Sequence, residues 1–162
     1  MKKIFVTTSF ILFCAVLFAQ TSFNIIPKPV QIIPKKGFFT TSFFSILNQK
    51  NSDKQEFIIV KDTILGTEGY SISIQENKLI VKANTSAGLF YAQTTLMQLM
   101  PPQVFDTNQS DFQVNLPCCE IVDYPRFPYR GLHLDVSRHY FPVAFIKKYI
   151  DLMAMHKMNY FH

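Results

Sequence analysis

The sequence predicts an α+β module, an antiparallel sheet carrying a helix, that runs into the opening β-α-β of a parallel β/α fold. Three observations predict it. Tyr70, Ile72 and Ile74 alternate with Ser71, Ser73 and Gln75, and after Glu76 and Asn77 the apolar Leu79, Ile80 and Val81 return, the pattern of a β-hairpin. Leu89, Ala92, Leu96 and Leu99 then recur at helical spacing ahead of Pro101 and Pro102. From Arg130 onward a short apolar run, an amphipathic stretch and a second apolar run follow one another within about 30 residues, the order of a βαβ unit.

The chain begins with a different kind of signal. Met1, Lys2 and Lys3 form a positive n-region, Ile4 to Phe18 an apolar run, and Ala19 is a small residue before polar Gln20 to Asn24, which is the layout of a secretory signal peptide over residues 1–19. The run falls short of the roughly 20 apolar residues that a spanning helix needs. Export to the periplasm or the exterior, cleavage near Ala19 and no stable membrane span afterwards are therefore expected. Phe13 ahead of Cys14 is too bulky for a lipid-modified cysteine.

The remaining elements follow in order. Pro27, Pro29 and Pro34 make Ile25 to Lys36 an extended or edge strand rather than a helix. Gly37 opens a second apolar run, Phe38 to Leu47, read as another strand, and Asn48 to Gln55 is turn-like. Phe57 to Val60 is β-branched and aromatic. Thr85 or Ser86 caps the helix that runs to Met100, where two prolines enforce the stop. Gln103 to Asp111 is polar and loop-like, Phe112 to Leu116 a last strand, and Glu120 to Tyr129, with Pro125 and Pro128, a connector. Arg130 to Val136 is a short strand. Pro142 opens a helix whose face is Val143, Ile146, Tyr149, Ile150 and Met153, and Met158 to Phe161 starts another strand. The expected division is residues 1–19 as leader, 20–122 as the α+β module and 123–162 as the start of the second unit.

Composition narrows the function classes. The 162 residues are 48% hydrophobic and 15% aromatic, with 17 Phe, so one ordinary core can be buried. A complete (β/α)₈ barrel alone takes about 250 residues and does not fit beside a module. Losing Lys2 and Lys3 with the leader takes the formal charge from +5 to +3. The remaining lysines are scattered, so no nucleic-acid partner is expected. Cys118 and Cys119 are adjacent and make no disulfide framework. Neither His nor Cys recurs at zinc-ligand spacing, and no metal or cofactor is expected.

Four blocks carry a resemblance: IIPKPVQIIPKKGFF (Ile25 to Phe39), EGYSISIQENKLIVKANTSAGLFYAQTTLMQLMP (Glu68 to Pro101), IVDYPRFPYRGLHLDVSRHYFP (Ile121 to Pro142) and IKKYIDLMAMHKMNYFH (Ile146 to His162). They resemble the β-N-acetylhexosaminidases of glycoside hydrolase family 20. The resemblance implies that the first two blocks form a small α+β module and that the last two open a catalytic TIM (β/α)₈ barrel, truncated here. It implies release of terminal N-acetylhexosamine, glucosamine or galactosamine, from glycans by substrate-assisted retaining hydrolysis. There the sugar's own acetamido oxygen is the nucleophile and an adjacent Asp-Glu pair supplies the acetamido-orienting group and the acid. No Asp-Glu dipeptide occurs in this sequence. No catalytic residue is therefore assigned, and the chain alone is expected to be an inactive N-terminal piece.

The resemblance gives Arg138, in the SRH motif after the first barrel strand, the role of binding hydroxyls of the terminal sugar, a task suited to a planar fork of donors. Taken without it, Arg138 is more readily a structural ion pair with Asp135 or a later carboxylate. Asp135 is expected to be a buried carboxylate holding Arg138 in place. Arg126 and Arg130 are expected to tie the connector to the barrel, and His133, His139, His156 and His162 to be structural. Asn84-Thr85-Ser86 matches a glycosylation sequon but doubles as the helix cap. Two other readings stay open: a stand-alone carbohydrate-binding or scaffolding module, and a truncated gene product without function.

Overall fold

The structure, a computed structural model, describes residues 23–62, 64–106 and 110–162. The expected leader, residues 1–19, lies outside the described residues. None of the described helices is long and apolar enough to cross a membrane.

Five strands form one sheet in the order β1-β5-β3-β4-β2: β1 Gln31–Ser42, β2 Gln55–Ile59, β3 Tyr70–Gln75, β4 Lys78–Ala83 and β5 Gln113–Asp123. The hairpin is as the alternation predicts, with Gln75 paired to Lys78 across the two-residue turn. Tyr70, Ile72, Ile74, Leu79, Val81 and Ala83 are buried on one face. Against that face lies α2, Ser86–Gln98, through Leu89, Ala92 and Leu96. Thr85 caps it by accepting from the Gly88 N–H at 3.4 Å. Gly88 is the point of closest approach, since a Cβ there would stand 2.5 Å from the Gly69 carbonyl oxygen and 2.9 Å from the Ala83 Cβ.

Three expectations are corrected. The sheet is mixed rather than antiparallel: β2 pairs parallel to β4 because the β3-β4 hairpin is inserted between β2 and the rest of the sheet. The two apolar runs at the start do not make two strands. They join into β1, with a register shift between Pro34 and Phe38 where Gly37 takes a left-handed φ of 96°. Residues Phe43–Leu47 then form a short helix, α1, whose N-cap Ser42 accepts from Ser45 N–H at 3.3 Å. Its Phe43 and Ile46, three residues apart, are both buried. An apolar run this short does not distinguish strand from helix by itself.

The third correction concerns β5, which continues past Leu116 through Pro117 and on to Asp123. It is bonded to β1 on one side and to β3 on the other. Pro117 is tolerated because it faces the register shift in β1, where the ladder is already broken. Cys118 and Cys119 are both buried free thiols on this strand.

After a connector at residues 124–129, β6 Gly131–Leu132 and β7 Tyr160–Phe161 pair in parallel, with α3 Val143–Met155 between them. The ladder continues as His162 N–H donates to Leu132 O and Leu134 N–H to His162 O, both at 2.9 Å. The βαβ order read from the sequence is therefore present, although β6 is shorter than the expected strand. Of the expected apolar face of α3 only Met153 is buried, while Val143 and Ile150 are exposed.

Candidate functional site

The loop leaving β6 carries both predicted site residues. Asp135 Oδ1 accepts the backbone N–H groups of Ser137 at 2.9 Å and Arg138 at 3.2 Å, a side-chain turn that folds the chain back on the carboxylate. Its Oδ2 then stands 3.3 Å from Arg138 Nε. The structure brings the two together, but Asp135 is half-buried, with a side chain 34% exposed, rather than the buried carboxylate expected, and Arg138 is 91% exposed. The guanidinium is thus held at its Nε edge, with its outer face in solvent. Both residues lie beyond the C-terminal ends of two parallel strands, where β/α folds build their sites.

The histidines nearby are in aromatic contacts. His139 meets Phe141 edge-on at 4.9 Å, and His133 and His162 stack at 5.1 Å between the neighbouring strands β6 and β7. His156 bonds the Leu152 carbonyl from its own helix at 2.8 Å.

A second constellation lies at the opposite ends of those strands. Arg130 directly precedes β6. Its Nε donates to Lys157 O at 2.8 Å, its Nη1 to Glu68 Oε2 at 3.0 Å and Phe127 O at 2.8 Å, and its Nη2 to Glu68 Oε1 and Tyr91 Oη at 3.2 Å each. All five guanidinium donors are thereby satisfied within the protein. Hydrogen bonds from Arg130, aided by its charge and by bonds from Asn159 and Tyr91, hold the Glu68 carboxyl below its ordinary range although burial opposes this. The expected role of Arg130 as a tie is what the geometry displays.

Beside it Lys157 Nζ reaches Tyr70 Oη at 2.6 Å and Asp123 Oδ2 at 2.8 Å, and Tyr70 Oη also bonds Thr95 Oγ1 at 2.5 Å and Asp123 Oδ2 at 2.8 Å. Burial, opposed by Asp123, lowers the Lys157 ammonium, and burial, reinforced by Asp123, raises the Tyr70 phenol. These groups floor a cleft of about 590 Å³ rimmed by Pro27, Lys28, Tyr124, Arg126 and Phe127. The floor's charged groups are paired with one another, Arg130 with Glu68 and Lys157 with Asp123. Sequence reasoning did not find Glu68, Tyr70, Asp123 or Lys157.

Two family models match this chain: "Glycosyl hydrolase family 20, domain 2" over residues 45–124 and "Glycosyl hydrolase family 20, catalytic domain" over residues 127–162. A beta-hexosaminidase of Porphyromonas gingivalis is 42% identical over 98 residues, which are 60% of this chain and 13% of the relative. Among solved structures, the beta-N-acetylhexosaminidase of Bacteroides fragilis aligns with a TM-score of 0.67 and 31% identity, over 85% of this chain and 32% of its own. The GH20 enzyme of Streptomyces coelicolor aligns at a TM-score of 0.74 and 24% identity, over 85% and 34%, a likeness of fold. The chain therefore spans about a third or less of the proteins it matches.

Proposed function

Because this chain belongs to glycosyl hydrolase family 20, we propose that it forms the N-terminal part of an exported β-N-acetylhexosaminidase that removes terminal N-acetylglucosamine or N-acetylgalactosamine from glycans. Residues 1–19 act as the leader, 20–122 as the α+β module, and 123–162 open a catalytic (β/α)₈ barrel. The meeting of the two matched stretches at the connector supports that division, and the parallel pairing of β6 with β7 across α3 supports the barrel.

The observation that carries the reading is the exposed Arg138 guanidinium, fixed along one edge by Asp135 at the C-terminal end of β6. A planar fork held that way presents two terminal nitrogens to neighbouring hydroxyls of a pyranose. Asp135 is the positioning group, because its carboxylate also fixes the backbone on which Arg138 stands. Glycosidic cleavage with substrate assistance needs, in addition, an acid on the leaving oxygen and a group that orients the acetamide. No Asp-Glu dipeptide is present in this sequence, so the contribution of these residues is grip on the sugar rather than proton transfer. The glycan is the partner, with no cofactor and no nucleic acid.

The test is hydrolysis of an aryl N-acetyl-β-glucosaminide by the complete gene product, with the anomer of the first-formed sugar read by NMR. Release of the β-anomer is the expected result. Absence of hydrolysis on both the gluco and galacto substrates, or release of the α-anomer, overturns the reading. Residues 20–162 alone are expected to give no product.

A further inference from the structure

The contact between the module and the β6-α3-β7 unit is polar where apolar packing would be the ordinary solution. The module contributes Glu68, Tyr70, Tyr91, Thr95 and Asp123, and the other unit contributes Arg130, Lys157 and Asn159. Gln98 on α2 adds a bridge, donating to Ile26 O at 2.9 Å and Met155 O at 3.0 Å. The ion pairs are sheltered: the side chains of Lys157 and Asp123 are 7% and 13% exposed, and those of Arg130 and Glu68 16% and 19%. Charges so buried are tolerable only while each has its partner, because removing one leaves the other desolvated and uncompensated.

The backbone at Lys157 gives a second, independent sign. Helix α3 ends in a paired terminus in which Met158 N–H donates to Met153 O at 2.9 Å and Lys157 N–H to Ala154 O at 3.0 Å. The residue at the turn of such a terminus takes the left-handed conformation and is usually glycine. Here it is a lysine with φ of 57°. A β-carbon in that region is strained, so the helix end alone would be better served by glycine. What the lysine adds is the ammonium on Asp123 and Tyr70.

Position completes the argument. Arg130 precedes β6, and Lys157 and Asn159 precede β7, so the groups grip the N-terminal ends of both parallel strands. Asn159 also links the two ends, accepting from Arg130 N–H at 2.9 Å and donating to Pro128 O at 2.8 Å. Arg138 lies past the other ends.

We propose that Glu68, Tyr70 and Asp123 form a socket built for a dibasic plug, Arg130 with Lys157, and that this lock makes the module and the β6-α3-β7 unit one cooperative folding unit. The boundary near residue 123 divides the sequence and leaves stability undivided. The proposal is independent of which sugar, if any, Arg138 binds.

The test is Lys157→Gly in the complete protein, followed by its melting temperature and by amide hydrogen exchange. If Lys157 is only a helix terminus, relief of the left-handed strain raises the melting temperature and leaves the module's exchange unchanged, which overturns the proposal. The lock predicts a lowered melting temperature and loss of protection by about tenfold or more in β3 and β5 together with α3. Loss confined to α3 also overturns it. Should Lys157→Gly not fold, adding Asp123→Asn is the second arm. Removing the stranded carboxylate is expected to restore folded protein in part, and failure to restore any counts against the lock.

Discussion

Arg130 places all five of its N–H donors on protein acceptors, whereas Arg138, eight residues further along, is held by Asp135 at Nε alone and is 91% exposed. The same side chain thus stands at the two ends of β6 in opposite states, one enclosed and one offered to solvent. Substituting each in turn separates a contribution to folding from a contribution to binding.

Arg138→Lys in the complete protein should raise KM for an aryl N-acetylglucosaminide by roughly 10- to 100-fold, the scale of one or two bonds from a charged donor. An ammonium cannot reproduce the fork. The melting temperature should stay within a degree or so, because the Arg138 side chain is 91% exposed and its ion pair with Asp135 is open to solvent. Unchanged kinetics would restore the plain ion-pair reading.

Arg130→Lys should do the converse. It replaces the paired bonds to Glu68 by at most one ammonium contact and removes the donors to Tyr91 and Phe127 O, with an expected loss on the order of 1–2 kcal/mol, since Glu68 keeps a cation beside it and its bonds from Tyr91 and Asn159. The urea midpoint is the measurement. KM of whatever protein remains folded should be unaltered.

The lowered Glu68 carboxyl makes the junction sensitive to acid, and the sign is fixed by its direction. A carboxyl lower in the folded than in the unfolded state gives stability that is complete above the ordinary value of 4.5 and is lost as the pH falls through the folded value. Arg130 ahead of β6, Asn159 ahead of β7 and Tyr91 from α2 are the groups that face it. The difference in melting temperature between the native protein and Glu68→Gln should therefore be constant near neutrality and shrink below that range. A difference that does not change with pH would remove Glu68 from the account.

Gly88→Ala offers a test of packing. Alanine favours a helix over glycine by up to about 1 kcal/mol. Against that, the added methyl would meet the Gly69 carbonyl oxygen at 2.5 Å and the Ala83 Cβ at 2.9 Å. Neither atom can swing aside, so overpacking, typically about 1–3 kcal/mol, should win and the variant should be less stable. A stabilised variant would show that α2 can lift from the sheet.

What the sequence disclosed was local. The hairpin was legible because alternation and a two-residue turn are both encoded within Tyr70 to Val81, and α2 because Thr85 and Pro101 bracket it. The start of the chain was not, because the shift at Gly37 resets the alternation and Phe43–Leu47 is too short to show a period. The parallel partner of β2 is set by a strand more than twenty residues away. The site divides the same way. Arg138 and Asp135 were found because they share one motif. Lys157 and Tyr70 are 87 residues apart, and Lys157 and Asp123 are 34 apart. The inward aim of Asp123 follows from the alternation of Cys119 and Ile121, which is readable only once β5 is known to run through Pro117.

The two cysteines side by side on β5 give the protein an internal stopwatch. Burial first, and then the neighbouring thiol, push Cys119 up to about 12, and burial raises Cys118 as well. Alkylating reagents attack the thiolate, which is scarce here at pH 8 and out of reach in the middle of the sheet. The peptide containing both residues should therefore take up label only at the moments when β5 parts from its neighbours. Its mass, followed over hours, reports the openings that expose β5 in the native protein without any denaturant.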